Sequence, residues 1–271
     1  MIEAVARQAI NLLPERPALL LARRLLERIR PLSVTPEQQH ALRDAERLSY
    51  GANSRQVAWR WGDGPAVMLI HGWGGRAAQM APLAQAIADM GFCAVAPDIT
   101  GHGDSPDRFS SWTHFTGDPA LLAAQLPGPL KACIGHSAGG LAMMAARSLH
   151  GLHADRFVCI CAPSHPYPPI VVISKRLAPR RTLLDRLQDH IAASFGRPWI
   201  ELETAQAYAG AGRNSLLIYD RNDRYLDGSD GKRVAALSPD ARQMIIDGNG
   251  HQKILSSPLL AQAVTEFLTT A

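Results

Sequence analysis

From residue 55 onward the chain alternates short apolar runs with helical stretches, and that alternation narrows the fold more than any other feature. The runs are RQVAWRW (55–61), AVMLI (66–70), FCAVA (92–96), KACI (131–134), FVCIC (157–161), LLIY (216–219) and RQMII (242–246). The first alternates like a half-exposed strand, whereas AVMLI is continuous, as expected of a strand buried on both faces. The stretch 76–90 is Ala-rich and helical, with Gly91 just past its end. Strands alternating with helices predict an α/β domain: a mostly parallel central sheet covered by helices on both faces.

Two segments stand outside that rhythm. Residues 1–50 read as an N-terminal helical extension. In it Leu19, Leu20, Ala22, Leu25, Leu26 and Ile29 form an apolar stripe flanked by arginines, and a second helix starts at Thr35-Pro36. Such a stripe packs on the core or closes a homodimer; a surface-associating arm is the alternative. Residues 162–214, opening with the Pro-rich APSHPYPP, are too long for one crossover helix and read as a helical cap inserted into the core. The core itself is then 51–161 plus 215–271. The cap carries a basic run, Lys175, Arg176, Arg180, Arg181 and Arg186 against Asp185. It reads as a solvated face or, more sharply, as a face for anionic substrates.

The bulk numbers exclude several classes. With 46% hydrophobic residues in 271, the chain can build a sizeable core. A net charge of +4 is small for a nucleic-acid binder, so no nucleic-acid partner is expected. The longest apolar stretch near the N-terminus, Ala18 to Ala22, is too short for a signal core or a membrane span, which points to the cytoplasm. Cys93, Cys133, Cys159 and Cys161 lie in strand-like runs without metal-ligand spacing, so buried free thiols are expected, and neither a metal nor a cofactor is called for. Two apart on one strand, Cys159 and Cys161 should share a face.

The chemistry centres on Gly135-His136-Ser137-Ala138-Gly139, which directly follows a strand and directly precedes the helical run LAMMAARSLH. A serine on so sharp a strand-to-helix turn projects its hydroxyl from the top of the sheet. Flanking residues must then be minimal, hence Gly135 and Gly139. The backbone N–H of Ala138, at the helix start, can donate to an oxyanion.

With the elbow in place, the chain from 55 to 271 resembles the α/β-hydrolase family. The resemblance is carried by His71-Gly72-Trp73-Gly74-Gly75 after a strand, by Asp98 through Gly101-His102-Gly103-Asp104-Ser105, by GHSAG, and by Asp223 and His251, in the family's order. It implies a catalytic triad of Ser137, Asp223 and His251, with the Trp73 and Ala138 backbone N–H groups as the oxyanion hole. At the acid, the register selects Asp223, and Asp220 is the alternative. Asp98, His102 and Asp104 precede the elbow and read as structural, and His136 as an elbow or pocket residue. The implied activity is a serine hydrolase acting on a small-molecule acyl substrate, a carboxylic ester or else a thioester or lactone. The serine argues against the family's epoxide and haloalkane hydrolases, which use Asp. An acyltransferase on the same triad and a non-catalytic binding protein on the same fold are the other readings.

Overall fold

The computed structural model describes residues 2–30, 32–226 and 228–270. Among them, eight strands form one sheet: β1 (Glu46–Tyr50), β2 (Gln56–Trp61), β3 (Ala66–Ile70), β4 (Cys93–Asp98), β5 (Leu130–His136), β6 (Ala154–Ile160), β7 (Ser215–Asp220) and β8 (Arg242–Ile246). Their spatial order is β1-β2-β4-β3-β5-β6-β7-β8. β1 and β2 run antiparallel, and from β4 through β8 every neighbouring pair is parallel. The helices are α1 (Ile2–Leu12), α2 (Glu15–Glu27), α3 (Pro36–Arg43), α4 (Ala77–Ala88), α5 (Trp112–Ala123), α6 (Ala138–Leu149), α7 (Pro168–Leu177), α8 (Arg181–Ala193), α9 (Trp199–Leu202), α10 (Asp230–Leu237), α11 (Gly250–Lys253) and α12 (Pro258–Thr269). None is long and apolar enough to cross a membrane.

The period-2 geometry of the strands sorts the core into two layers. Along β3, Met68 and Ile70 face a cluster with Phe115, Leu141 and the α8 residues Leu183 and Leu187. Val67 and Leu69 face the other cluster, with Met80, Leu83, Val264 and Phe267 from α4 and α12. All four β3 side chains are fully buried, each contributing about 1.5–3 kcal/mol by leaving water. Because both faces are covered, AVMLI has no polar position to spare.

Three details depart from the sequence reading. Residues 46–50, assigned there to the helical extension, form the edge strand β1: Glu46 pairs with Arg60 and Tyr50 with Gln56, and the buried Tyr50 hydroxyl donates to the Asp98 carbonyl at 3.1 Å. In α2 the apolar stripe is offset. Ala18 and Ala22 are fully buried, while Leu20, two residues from each and so on the opposite side of the helix, is 65% exposed. Cys159 and Cys161 lie in opposite layers. The strand ends at Ile160, and Cys161 takes a left-handed φ of 45°, which turns its side chain across the sheet.

The segment between β6 and β7 is helical, and the N-terminal helices pack on it: α1 against α7, and α2 against α8. The basic run takes part in that packing. Arg180 Nη2 donates to the Leu13 carbonyl at 2.6 Å, and Arg186 pairs with Glu15 at 3.2 Å. Arg181 pairs with Asp185 on its own helix. Arg180, Arg181 and Arg186 are thus engaged within the chain, so the run serves in part as a packing surface, which neither reading of it had expected.

Candidate active site

The site sits at the carboxyl ends of β3, β5, β7 and β8, beside the end of β6. Ser137 follows β5 with φ 53° and ψ −124°, a backbone region costly for any residue but glycine. Its N–H donates to the Ile160 carbonyl on β6 at 2.8 Å, which holds the strained turn in place. Neighbouring positions allow no side chain. A Cβ at Gly139 would fall 2.4 Å from the His71 carbonyl oxygen, and one at Gly135 would fall 2.5 Å from the Gly140 backbone. The elbow can therefore press directly against the loop after β3.

The sequence-predicted residues converge here. Ser137 Oγ lies 2.9 Å from His251 Nε2, and His251 Nδ1 lies 2.6 Å from Asp223 Oδ2. A carboxylate only accepts, so Nδ1 carries the proton and donates to Asp223, which leaves Nε2 to accept from the serine hydroxyl. The His251 and Asp223 side chains are only 6% and 7% exposed, so this chain is shielded from water. Burial pulls the Asp223 carboxyl upward. The His251 hydrogen bond and charge, with the N–H groups of Tyr225 and Leu226, outweigh it and hold the carboxyl below the usual range. Asp223 is ionised at neutral pH.

Asp220 serves differently. Its Oδ1 accepts from the Asn222 N–H at 2.8 Å, and its Oδ2 accepts from the Asn249 N–H at 2.9 Å. It therefore braces the Asp223 loop against the His251 loop and makes no contact with the imidazole.

The loop after β3 is braced by two histidines, His71 and His102. His71 Nδ1 donates to the Gly72 carbonyl at 2.7 Å, while its Nε2 accepts from the Ile99 N–H at 3.2 Å. The same carbonyl accepts from the Gly75 N–H at 3.0 Å. Because the Gly72–Trp73 peptide is trans, fixing its carbonyl on one side turns the Trp73 N–H to the other. That N–H has no acceptor among the described residues. Ala138 is the first residue of α6, where a backbone N–H has no helical partner. His102 Nε2 accepts from the Gly74 N–H at 3.1 Å. His136 Nε2 donates to the His251 carbonyl at 2.8 Å, tying the elbow to the histidine loop. His136, read from the sequence as an elbow or pocket residue, stands at the elbow; sequence reasoning assigned no such task to His71, whose signal was its adjacency to Gly72. Asp98 joins the neighbouring loops, accepting from the N–H groups of Ala77 and Asp104 at 2.7 and 3.0 Å. The Trp73 indole stacks on Phe115, with ring centroids 5.2 Å apart.

These buried rings have a consequence for stability. Desolvation lowers the His102 pKa to about 4 and the His136 pKa to about 3. Unfolded, both titrate near the ordinary imidazole value, so the unfolded state binds more protons between that value and the folded one, and stability falls as pH falls. By pH 5 the loss is on the order of 2 kcal/mol per ring. Urea midpoints at pH 7 and pH 5 check this: His102→Gln should flatten the pH dependence, and an equal slope in that variant would contradict it.

Among the described residues, one group of side chains brings metal-ligand atoms together: Cys161, Asp223 and His251, all within 4.8 Å. Burial pushes the Cys161 thiol well above its ordinary value, so it is protonated and a poor ligand as it stands.

The sheet order and the elbow after β5 define an α/β-hydrolase architecture, and the model of the alpha/beta hydrolase family matches residues 67–268. The chain belongs to the alpha/beta hydrolase family. A curated relative, the pimeloyl-[acyl-carrier protein] methyl ester esterase of Chromobacterium violaceum, is 39% identical over 82 residues, a match spanning 30% of this chain and 30% of that protein. The thioesterase domain from the curacin biosynthetic pathway superposes with TM-score 0.60 at 18% identity, over 83% of this chain and 99% of that domain. A membrane phospholipase A described as a bacterial virulence factor superposes with TM-score 0.61 at 20% identity, over 98% of this chain and 94% of that one. At those identities the superpositions speak for the fold alone.

Proposed function

We propose that the chain is a serine hydrolase that cleaves a carboxylic ester, or a related acyl substrate such as a thioester, through an acyl-enzyme. The observation that carries this reading is the unbroken hydrogen-bonded chain from Ser137 Oγ through His251 to Asp223. In it, His251 Nε2 takes the hydroxyl proton as Ser137 Oγ attacks the acyl carbon, and the Asp223 carboxylate stabilises the imidazolium that forms. The carbonyl oxygen becomes an oxyanion facing the Trp73 and Ala138 N–H groups. His251 then passes the proton to the leaving oxygen or sulfur, whose bond to the acyl carbon breaks. Water, activated by the same imidazole, returns the acyl group as a carboxylate and restores Ser137.

The curated relative's name supplies the narrower substrate idea, an ester carried by an acyl-carrier protein. The test is a panel of esters of graded acyl length with acyl-thioesters alongside. Turnover that depends on acyl length and vanishes in Ser137→Ala supports the reading. No turnover of any member, by folded protein, contradicts it.

A further inference from the structure

The N-terminal arm reaches the catalytic loops as well as the cap. Past the end of α2, Arg28 bridges Phe109 in antiparallel fashion. The Ile29 N–H donates to the Arg108 carbonyl at 2.9 Å, and the Ser110 N–H donates to the Glu27 carbonyl at 2.8 Å. The chain then passes directly over the oxyanion loop, where the Leu32 N–H donates to the Gly74 carbonyl at 2.9 Å. The approach is close: Gly74 has φ 75°, and a Cβ there would sit 3.2 Å from the Arg30 carbonyl oxygen. Both polar groups of Gly74 are therefore committed, the N–H to His102 and the carbonyl to the arm.

At its other end the arm is fastened to the cap. Glu27 lies 2.8 Å from His190 on α8, Glu15 pairs with Arg186 on α8, and the Leu13 carbonyl accepts from Arg180. Ile10, Ala18 and Ala22 are fully buried in the layer that holds Leu183, Leu187 and Ile191 of α8. A packing appendage needs only that apolar face. The contact with Gly74 adds a backbone hydrogen bond on the residue directly after Trp73, whose N–H is the loop's oxyanion donor.

We propose that the N-terminal arm is a positioning element of the hydrolytic site: docked on α8, it holds the Gly74 peptide and thereby the oxyanion loop in its catalytic shape. This rests on the serine-hydrolase reading above. A loop free to rotate at Gly74 would carry the Trp73 N–H out of line with the forming oxyanion, which lowers turnover more than ground-state binding.

The test compares Leu32→Pro, which removes the N–H, with Leu32→Ala, which keeps it, and with Glu27→Ala, which releases the arm from His190. Each is assayed for kcat, KM and Tm on one short ester. Leu32→Pro should lose about tenfold in kcat, the scale of one hydrogen bond, with KM within about twofold, while Leu32→Ala turns over like wild type. Glu27→Ala should lose kcat in the same direction. A merely structural arm would lower Tm and leave kcat of the folded protein untouched, so wild-type kcat in either Leu32→Pro or Glu27→Ala overturns the proposal.

Should Leu32→Pro fail to fold, hydrogen exchange on the wild-type protein decides. Phosphonylating Ser137 places a phosphonyl oxygen at the oxyanion loop, and exchange at the Leu32 amide should slow. Unchanged exchange there overturns the proposal. Absence of both ester turnover and phosphonylation in the wild type would instead remove the hydrolase reading on which it stands.

Discussion

Ser137→Ala should abolish ester hydrolysis while leaving the fold intact. Alanine keeps the Cβ that the elbow already accommodates, and the turn's anchor to Ile160 is a backbone bond that the substitution does not touch. What disappears is the atom 2.9 Å from His251 Nε2. Loss of a nucleophile in such a triad costs on the order of 10⁴ to 10⁶ in rate. Steady-state turnover of a chromogenic ester, with circular dichroism as the folding control, checks the expectation. Near-wild-type turnover by the variant would rule out the serine mechanism.

Asp223→Asn should be nearly as damaging, on the order of 10⁴ in kcat, because an amide cannot hold His251 in the tautomer that leaves Nε2 free to accept. Asp220→Asn provides the contrast. Its carboxylate accepts from Asn222 and Asn249 and never touches the imidazole, so the amide loses one of two loop braces and turnover falls far less. Kinetics of the two variants side by side distinguish an acid from a brace. A reversed ranking would make Asp220 the functional acid, against the 2.6 Å bond between His251 and Asp223.

The parts of this molecule legible in its sequence are those in which a local pattern carries its own physical reason. A continuous apolar run such as AVMLI, set in a strand–helix alternation, is expected of a strand covered on both sides, and it became β3 within the sheet. Serine between glycines, after a strand and before a helix, has few structural meanings, and β5, Ser137 and α6 follow one another as that pattern requires. The helix start at Thr35-Pro36 is likewise local, with Thr35 and Gln38 capping each other's backbone.

What stayed hidden depends on partners far along the chain. ERLSY at 46–50 has no apolar alternation strong enough to announce a strand; it becomes one because β2 offers it an antiparallel edge. Cys161 looks like the continuation of a strand until its positive φ, set where β6 gives way to the cap, turns it to the opposite layer. The arginines of the cap look like a face for a charged ligand, yet Arg180 and Arg186 are spent on an arm more than 160 residues away in sequence. Likewise, nothing near Leu32 hints that its N–H meets Gly74.

The most direct measurement is the mass of the wild-type protein after exposure to a fluorophosphonate, followed by peptide mapping of the adduct. A serine deprotonated by His251 attacks the phosphorus and expels fluoride, leaving a stable phosphonyl ester. The account predicts a single adduct, located on Ser137 and absent in Ser137→Ala. Folded protein that stays unmodified, or that carries the adduct elsewhere with Ser137 free, would contradict it.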